Sequence, residues 1–389
     1  MRIALVAPEF PPDVIGGGGT VYAALAREYS RRNRVRVFSA QDSVRKWWAK
    51  PSVEHHDPNS TVIRYPLVPM FRHEASLRSV LPPNPIALKT LLSDLLEWAP
   101  DVAHLHGLGY AIVDVCAAAL HKKGIPYVVT SHGLPNSPRQ RSPLVRLCYE
   151  TYERTVLSST VTKARATTAV SSVEARTCES VFKRDFNVIP NGIEQPSDQG
   201  ALTHLPFELP NQPFIAAAGR FVANKGFEVL LEALEQMSDP PTCIIAGDWQ
   251  ATKLGQAIKS RQARSTVMLP GLLSKAQLRT LFMHAKAVIV PSLSEPFGLV
   301  GFEALAVGTR VIASKTGGLW EYAIENTPIS FVQVGSVIEL ATAIDDAMGS
   351  GPLSDLEQDA TCQTLEHLTW ESIAMKYEKM FETLSLDSH

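Results

Sequence analysis

The segment VIVPSLSEPFGLVGFEALAVG, residues 288–308, carries the most chemistry in this 389-residue chain. Its apolar run reads as a strand ending at Ser292, and a helix follows from near Phe297 or Gly298. Glu295 precedes that helix. Its carboxylate and the free N–H groups of Gly298, Leu299 and Val300 can therefore line one pocket. Glu303, eight residues on, stands a turn inside the helix, and a carboxylate there can accept both hydroxyls of a ribose diol. The competing readings are a capping acid for Glu295 and a solvated helix-face acid for Glu303.

Two further stretches suit phosphate. In FIAAAGRFVANKG, Arg220 follows a strand and Lys225 opens the next helix. Arg, as a bidentate fork, and Lys, as a point charge, can neutralise a diphosphate without metal; alternatively they are solvated surface cations. The first strand ends in APEFPPDVIGGGGT, with a helix expected from Thr20 or Val21. Gly16 to Gly19 lack Cβ atoms, so the backbone either offers N–H groups to a phosphate or forms a flexible surface loop. A dinucleotide fingerprint fits poorly. Asp42 follows the second strand, but the glycine turn is too long and too far from the first.

Positioning these groups requires parallel sheets. Short apolar runs at 3–7, 35–40, 102–106, 127–133 and 167–171 alternate with helical patterns such as TVYAALAREYSRR. After a Pro/Gly/Asn-rich stretch at 191–213, runs resume at 214–219, 243–247, 267–271, 287–292 and 310–314. Near-continuous apolar strands interleaved with helices imply right-handed βαβ units with both sheet faces covered. Two Rossmann-like domains joined by that linker follow, with ligands expected beyond the carboxyl ends of the strands.

Composition agrees with an ordinary globular protein: 45% hydrophobic and 20% charged residues exclude disorder, collagen and coiled coil. Five cysteines without a C-x-x-C pair read as buried thiols in a reducing cytoplasm, with no zinc site and no disulfide framework. MRIALVAPEF reads as a first strand rather than a signal peptide. The longest near-apolar stretch, 102–120, contains His104, His106 and Asp114, so a soluble protein is expected. Residues 1–200 carry 24 Lys and Arg against 18 Asp and Glu, a net +6; residues 201–389 carry 13 against 21, a net −8. Either the basic half meets an anionic surface or substrate, or two domains have drifted apart in charge.

Taken together, SEPFGLVGFEALAVG resembles the E-x7-E signature of glycosyltransferase family 4, retaining enzymes of the GT-B fold. PEFPP-GGGG, VVTSHG, VIPNGI, AAGRFVANKG, IIAGD and Gly317-Gly318-x-x-Glu321 stand in the family's order, and the resemblance covers essentially the whole chain. It implies an α/β chain of two facing Rossmann-like domains with parallel sheets and a deep interdomain cleft. Residues 1–195 would bind acceptor, and 210–369 would bind the nucleotide-sugar donor. LTWESIAMKYEKMFETL resembles the family's last helix, so 370–389 would pack back on the first domain.

The resemblance also implies roles. Arg220 and Lys225 would bind the donor diphosphate, Glu303 the ribose, and Glu295 with the amides of Phe297, Gly298 and Leu299 the transferred sugar. Val300 adds a first-turn N–H. His132 matches the family's active-site histidine, near the reacting carbon. Gly17 and Gly18 would approach the β-phosphate, and the backbone at Gly271 and Leu272 the base. The pattern departs at Trp249, where the family often has Gly after Asp, and at Thr309-Arg310, where it usually has Pro before Val.

The expected reaction is transfer of a hexose from a nucleotide-sugar to a glycan or lipid-linked acceptor in polysaccharide or glycoconjugate assembly. A UDP-sugar is the commonest donor and a GDP-sugar the second. Cations and oriented N–H groups would stabilise the leaving diphosphate; with no DxD-type pair at a strand end, no metal and no cofactor are expected. Retention is read as front-face attack, with the departing phosphate taking the acceptor proton. Double displacement would need a carboxylate nucleophile instead. RRNRVRV, VRKWWAKP with Trp47 and Trp48, and Arg139, Arg141 and Arg146 read as a peripheral contact with an anionic membrane, at its cytoplasmic face, or as solvated loops with buried tryptophans. No nucleic-acid partner is expected. The other functions considered are a GT-B sugar-nucleotide epimerase and a non-catalytic sugar-nucleotide-binding subunit of a glycosylation complex.

Overall fold

The computed structural model describes residues 1–12, 17–41, 50–67, 84–134, 147, 150–195, 203–261 and 266–386. The chain divides into two compact units: Met1–Asn191 with Trp370–His389, and Gly192–Thr369.

The first unit is built on an eight-stranded sheet, ordered β3-β4-β2-β1-β5-β6-β7-β8. The strands are β1 (Arg2–Ala7), β2 (Arg34–Ala40), β3 (Ser52–Asp57), β4 (Ser60–Tyr65), β5 (Val102–His106), β6 (Tyr127–Ser131), β7 (Ala166–Ala169) and β8 (Asn187–Val188). Every pairing is parallel except β3 with β4, a hairpin at the sheet edge. That hairpin escapes the sequence reading because β3, SVEHHD, is polar and largely exposed and so shows no apolar run. β1 has its last five residues buried, and β5 and β6 are buried throughout, which is why their sequences lack alternation.

Parallel direction sorts the loops to the two ends of this sheet. Its carboxyl end collects the Glu9 and Gly17–Gly19 region after β1, His106 at the end of β5, and His132 just beyond β6. Its amino end collects Arg2, Arg34 and the turn carrying Arg31 and Arg32. The first helix spans Gly17–Ser30, so it starts at the glycines and not at Thr20 or Val21.

The helix Trp370–Leu386 lies against this first helix. Glu378, buried, accepts from Arg32 Nη2 at 2.8 Å and from Asn33 Nδ2 at 2.6 Å. Phe381 and Tyr29, both fully buried, meet edge to face at 5.7 Å. Each such ring contributes roughly 1.5–3 kcal/mol by leaving water, enough to hold a terminal helix in place.

The second unit has six strands, all parallel, ordered β11-β10-β9-β12-β13-β14. They are β9 (Phe214–Ala218), β10 (Thr242–Ala246), β11 (Val267–Gly271), β12 (Ala287–Val290), β13 (Arg310–Ser314) and β14 (Ile329–Val332). The carboxyl ends of β9, β12 and β13 run directly into the Arg220–Lys225, Ser292–Gly298 and Lys315–Gly318 segments. Cys116, Cys178 and Cys243 are buried free thiols, whereas Cys362 is exposed, contrary to the expectation of burial. Among the described residues no helix is long and apolar enough to cross a membrane.

Candidate active site

In the second unit, the backbone brings two loops into contact before any side chain does. After β9 the chain makes a single 3-10 turn, Ala223–Lys225, and Gly226 follows with φ +67°. A Cβ at Gly226 would stand 1.9 Å from the Pro291 carbonyl oxygen, so only glycine lets this turn press on the end of β12. The N–H of Leu293 donates back to Asn224 O at 2.9 Å. Docked this way, Lys225 Nζ reaches Glu295 Oε2 at 2.6 Å, and Ser292 Oγ donates to the same oxygen at 3.2 Å.

The loop after β13 closes on the other side of Glu295. Gly317 has φ +67°, and a Cβ there would lie 1.9 Å from the Glu295 carbonyl oxygen; one at Gly318 would lie 2.6 Å from the Phe297 ring. Phe297 itself is buried, stacked on Phe302 at 4.9 Å, so its amide rather than its ring is available to a ligand. Gly298 is the N-cap of the helix Leu299–Ala306, with φ +95°. The first-turn N–H groups, those of Leu299 and Val300 among them, have no partner inside a helix and carry its positive dipole end.

Arg220 is exposed and forms no ion pair among the described residues. Leu272 is 74% exposed beyond β11, after Gly271 with φ +89°. Glu303 lies one turn into the helix, half-buried. Burial pushes its carboxyl up to about 7, against a downward pull from Lys275 and with a further upward push from the like charge of Glu194. The structure thus joins Lys225, Ser292, Glu295 and the two glycines of the β13 loop in one cluster. Arg220, on the same loop as Lys225, Leu272, just beyond β11, and Glu303, inside the helix that Gly298 caps, make no hydrogen bond to that cluster among the described residues.

In the first unit, His132 is held by residues that the sequence reading passed over. His132 Nε2 lies 3.0 Å from His106 Nδ1, and the Tyr22 ring sits 4.8 Å from the His106 ring and 5.4 Å from that of His132. Burial lowers His132 to about 4 and takes His106 well below the usual histidine range, so both rings are neutral at pH 7. The segment around His132 is pinned by the buried Glu174, which accepts from Ser131 Oγ at 2.5 Å and from the Leu134 N–H at 3.0 Å. A usable signal for His106 was present: residues two apart on a strand share a face, so His104 and His106 had to stack on one side of β5.

The glycine loop after β1 is more committed than expected. Gly19 N–H already donates to Glu9 Oε1 at 3.0 Å, so one of the N–H groups that the sequence reading offered to a phosphate is taken by a carboxylate of the chain itself. A Cβ at Gly18 would lie 2.7 Å from Tyr22 Oη, so Gly18 also serves packing. Gly17 opens the helix. Of the basic residues proposed to touch a membrane, Arg32 is tied to Glu378, and Arg31 pairs with Glu28 at 2.7 Å. They lie at the amino end of the sheet, opposite His132. Trp47, Trp48, Arg139, Arg141 and Arg146 lie outside the described residues, as do Gly16, Asp42 and Cys148.

Comparison with known proteins places this arrangement. Sucrose-phosphate synthase from Thermosynechococcus elongatus superposes with a TM-score of 0.79 over 98% of both chains, at 21% identity. Anabaena Alr3699/HepE in complex with UDP-glucose superposes with a TM-score of 0.72 over 98% of this chain and 100% of its own, at 19% identity. The fold is therefore GT-B. The model for Glycosyltransferase Family 4 matches residues 15–195, and that for Glycosyl transferases group 1 matches residues 206–360. The alpha-maltose-1-phosphate synthase of Mycobacterium tuberculosis is 28% identical over 373 residues, which are 90% of this chain and 87% of that protein. The chain belongs to glycosyltransferase family 4.

Proposed function

We propose that this glycosyltransferase is a retaining, metal-independent hexosyltransferase that moves a sugar from a UDP-sugar to a glycan or lipid-linked acceptor in polysaccharide or glycoconjugate assembly. The observation that carries the donor reading is the Lys225–Glu295 pair at the ends of β9 and β12, beside a helix N-terminus. A cation and oriented N–H groups suit a diphosphate, and a carboxylate within reach of both suits the hydroxyls of the attached sugar. The UDP-glucose complex of the Anabaena neighbour supports a uridine nucleotide.

In this reading Lys225 and Arg220 hold the diphosphate, and the amides from Phe297 to Val300 share its charge with the sugar. Glu295 accepts sugar hydroxyls, Glu303 accepts the ribose diol, and Gly17, Gly18 and Leu272 contribute backbone contacts. His132 contacts the sugar near its reacting carbon. As the bond between the anomeric carbon and the phosphate oxygen breaks, the acceptor oxygen bonds to the same face of that carbon. Its proton passes to the departing phosphate. Charge developing on that phosphate is met by Lys225 and Arg220, which supply what a metal supplies in other transferases. No cofactor takes part.

Thermal melting with UDP-, GDP- and ADP-sugars tests the reading. UDP-sugars should raise the melting temperature of the native protein and fail to do so for Lys225→Ala. No shift with any nucleotide-sugar would overturn it.

A further inference from the structure

We propose that His106 is a positioning residue that fixes the tautomer of His132, leaving His132 Nδ1–H as a hydrogen-bond donor toward the transferred sugar. The proposal rests on the reading of His132 as a sugar contact and adds to it the chemical identity of the group presented.

The geometry is a two-histidine chain with both outer ends open. His106 Nδ1 and His132 Nε2 are 3.0 Å apart, so one nitrogen carries the proton and the other accepts it. Their outer nitrogens, His106 Nε2 and His132 Nδ1, are buried and make no hydrogen bond among the described residues. Most buried polar atoms are paired, so two orphans on one hydrogen-bonded pair point to a missing partner.

Two proton arrangements are possible for neutral rings. In the first, His132 Nε2–H donates to His106. His106 Nε2 then carries a proton inside the protein with nothing to receive it, and His132 Nδ1 is an acceptor. In the second, His106 Nδ1–H donates to His132. His106 Nε2 is then an unprotonated acceptor, and His132 Nδ1 carries the proton.

Burial decides between them. His106 is fully buried in β5, packed between His104 at 3.9 Å and Tyr22 at 4.8 Å between ring centroids. No ligand reaches its Nε2, so whatever is left there stays unsatisfied. An unpaired N–H is the rarer and costlier state in a protein interior than an under-used acceptor. His132 lies past the end of β6 and, unlike the fully buried His106, keeps part of its surface exposed, so its Nδ1, covered in the free protein, is the one of the two nitrogens that a ligand can reach through a local adjustment. The second arrangement alone puts the permanent orphan on an acceptor and the temporary one on a donor.

His104 does not compete for this role. Its Nδ1 is engaged by Tyr29 Oη at 3.1 Å and its Nε2 by Thr130 Oγ1 at 2.7 Å, so it is satisfied on both sides. The consequence is functional: His132 presents a neutral N–H to a sugar oxygen and does not act as a base through that nitrogen.

Long-range nitrogen–proton correlation spectra of histidine-labelled, ligand-free protein read the tautomer directly. His132→Gln identifies its ring signals. The expected pattern is protonated Nδ1 and unprotonated Nε2 on His132; a protonated Nε2 with a bare Nδ1 overturns the proposal without any variant of His106. Substitutions then test cause. His106→Asn keeps an amide N–H at the position of Nδ1 and should keep both the tautomer and most of kcat. His106→Asp offers only an acceptor, and should switch His132 to the Nε2–H form with kcat at least about tenfold lower, the weight of one lost hydrogen bond. The donor KM should change little in both. An unchanged His132 tautomer in a folded His106→Asp protein overturns the proposal. If no nucleotide-sugar binds in the melting screen, the transferase reading fails while the tautomer result is unaffected, so the two failures are distinct.

Discussion

Lys225 and Glu295, 70 residues apart in sequence, meet at 2.6 Å, with Lys225 Nζ on Glu295 Oε2. In the proposed function one holds the diphosphate and the other the sugar. Joined, they mean that the cation is already half neutralised before any donor arrives. In the proposed function a diphosphate shares Lys225 with a carboxylate, and that sharing would tie the position of the proposed sugar-binding acid to that of the proposed phosphate-binding cation.

Removing the charge of Glu295 while keeping its shape should therefore separate affinity from transfer. Glu295→Gln should bind UDP up to about tenfold more tightly, since an opposing carboxylate no longer competes for Lys225. Transfer should fall by about a hundredfold because the sugar loses its oriented acceptor. Calorimetry with UDP and initial-rate kinetics measure the two effects. Weaker UDP binding in this variant would show that Glu295 supports the phosphate site and does not compete with it.

The raised pKa of Glu303 has a sign that can be checked. Ribose hydroxyls donate to a carboxylate, so donor binding favours the ionised form. Burial holds this group at about 7 in the free protein. Affinity for UDP-glucose should rise with pH from about 5.5 to about 7.5 and then level off. Glu303→Gln should remove that slope. The same group works oppositely on folding. Its pKa stands above the 4.5 of an ordinary glutamate, so its contribution to stability is complete below pH 4.5 and is lost as pH rises through about 7. Titration calorimetry across this range decides, and a pH-independent affinity would reject the ribose role.

Gly226 carries a mechanical demand rather than a chemical one. Its φ of +67° is strained for any L-residue, and an added Cβ would stand 1.9 Å from backbone. Gly226→Ala should cost about 3 kcal/mol or more in urea unfolding. At Gly124, φ is +70° but nothing lies within 4 Å, so Ala there should cost only about 1–2 kcal/mol. Equal losses at the two sites would mean that backbone conformation alone, without the approach to Pro291, sets the cost.

Much of the fold was legible because parallel strands buried on both faces must be apolar without alternation, and helices between them must show a 3.6-residue stripe. FIAAA, CIIA and VIV announce themselves by that rule, and each is a strand. What lacks bulk or hydrophobicity escaped it. The β3–β4 hairpin begins on a polar, exposed edge strand, and β8 is only two residues long. The candidate acids and cations were legible for the same reason as the strands. A loop that leaves the carboxyl end of a strand is where ligands bind, so Arg220, Lys225 and Glu295 could be named from position, whereas His132 is named only by the family resemblance.

The amino-acid sequence by itself thus determined the buried central strands, the two-unit organisation, and which charged residues stand at strand ends, since all three follow from local periodicity. Only the tertiary structure decided which of those residues share a proton or a charge. His106 and His132 belong to different strands, and Lys225 and Glu295 to different βα units; their pairing depends on strand order and on glycines that let backbones touch. Burial is equally non-local. The same carboxyl that reads as a solvated helix-face acid in sequence becomes, at Glu303, a group at about 7, because packing removes the water that would have kept it ionised.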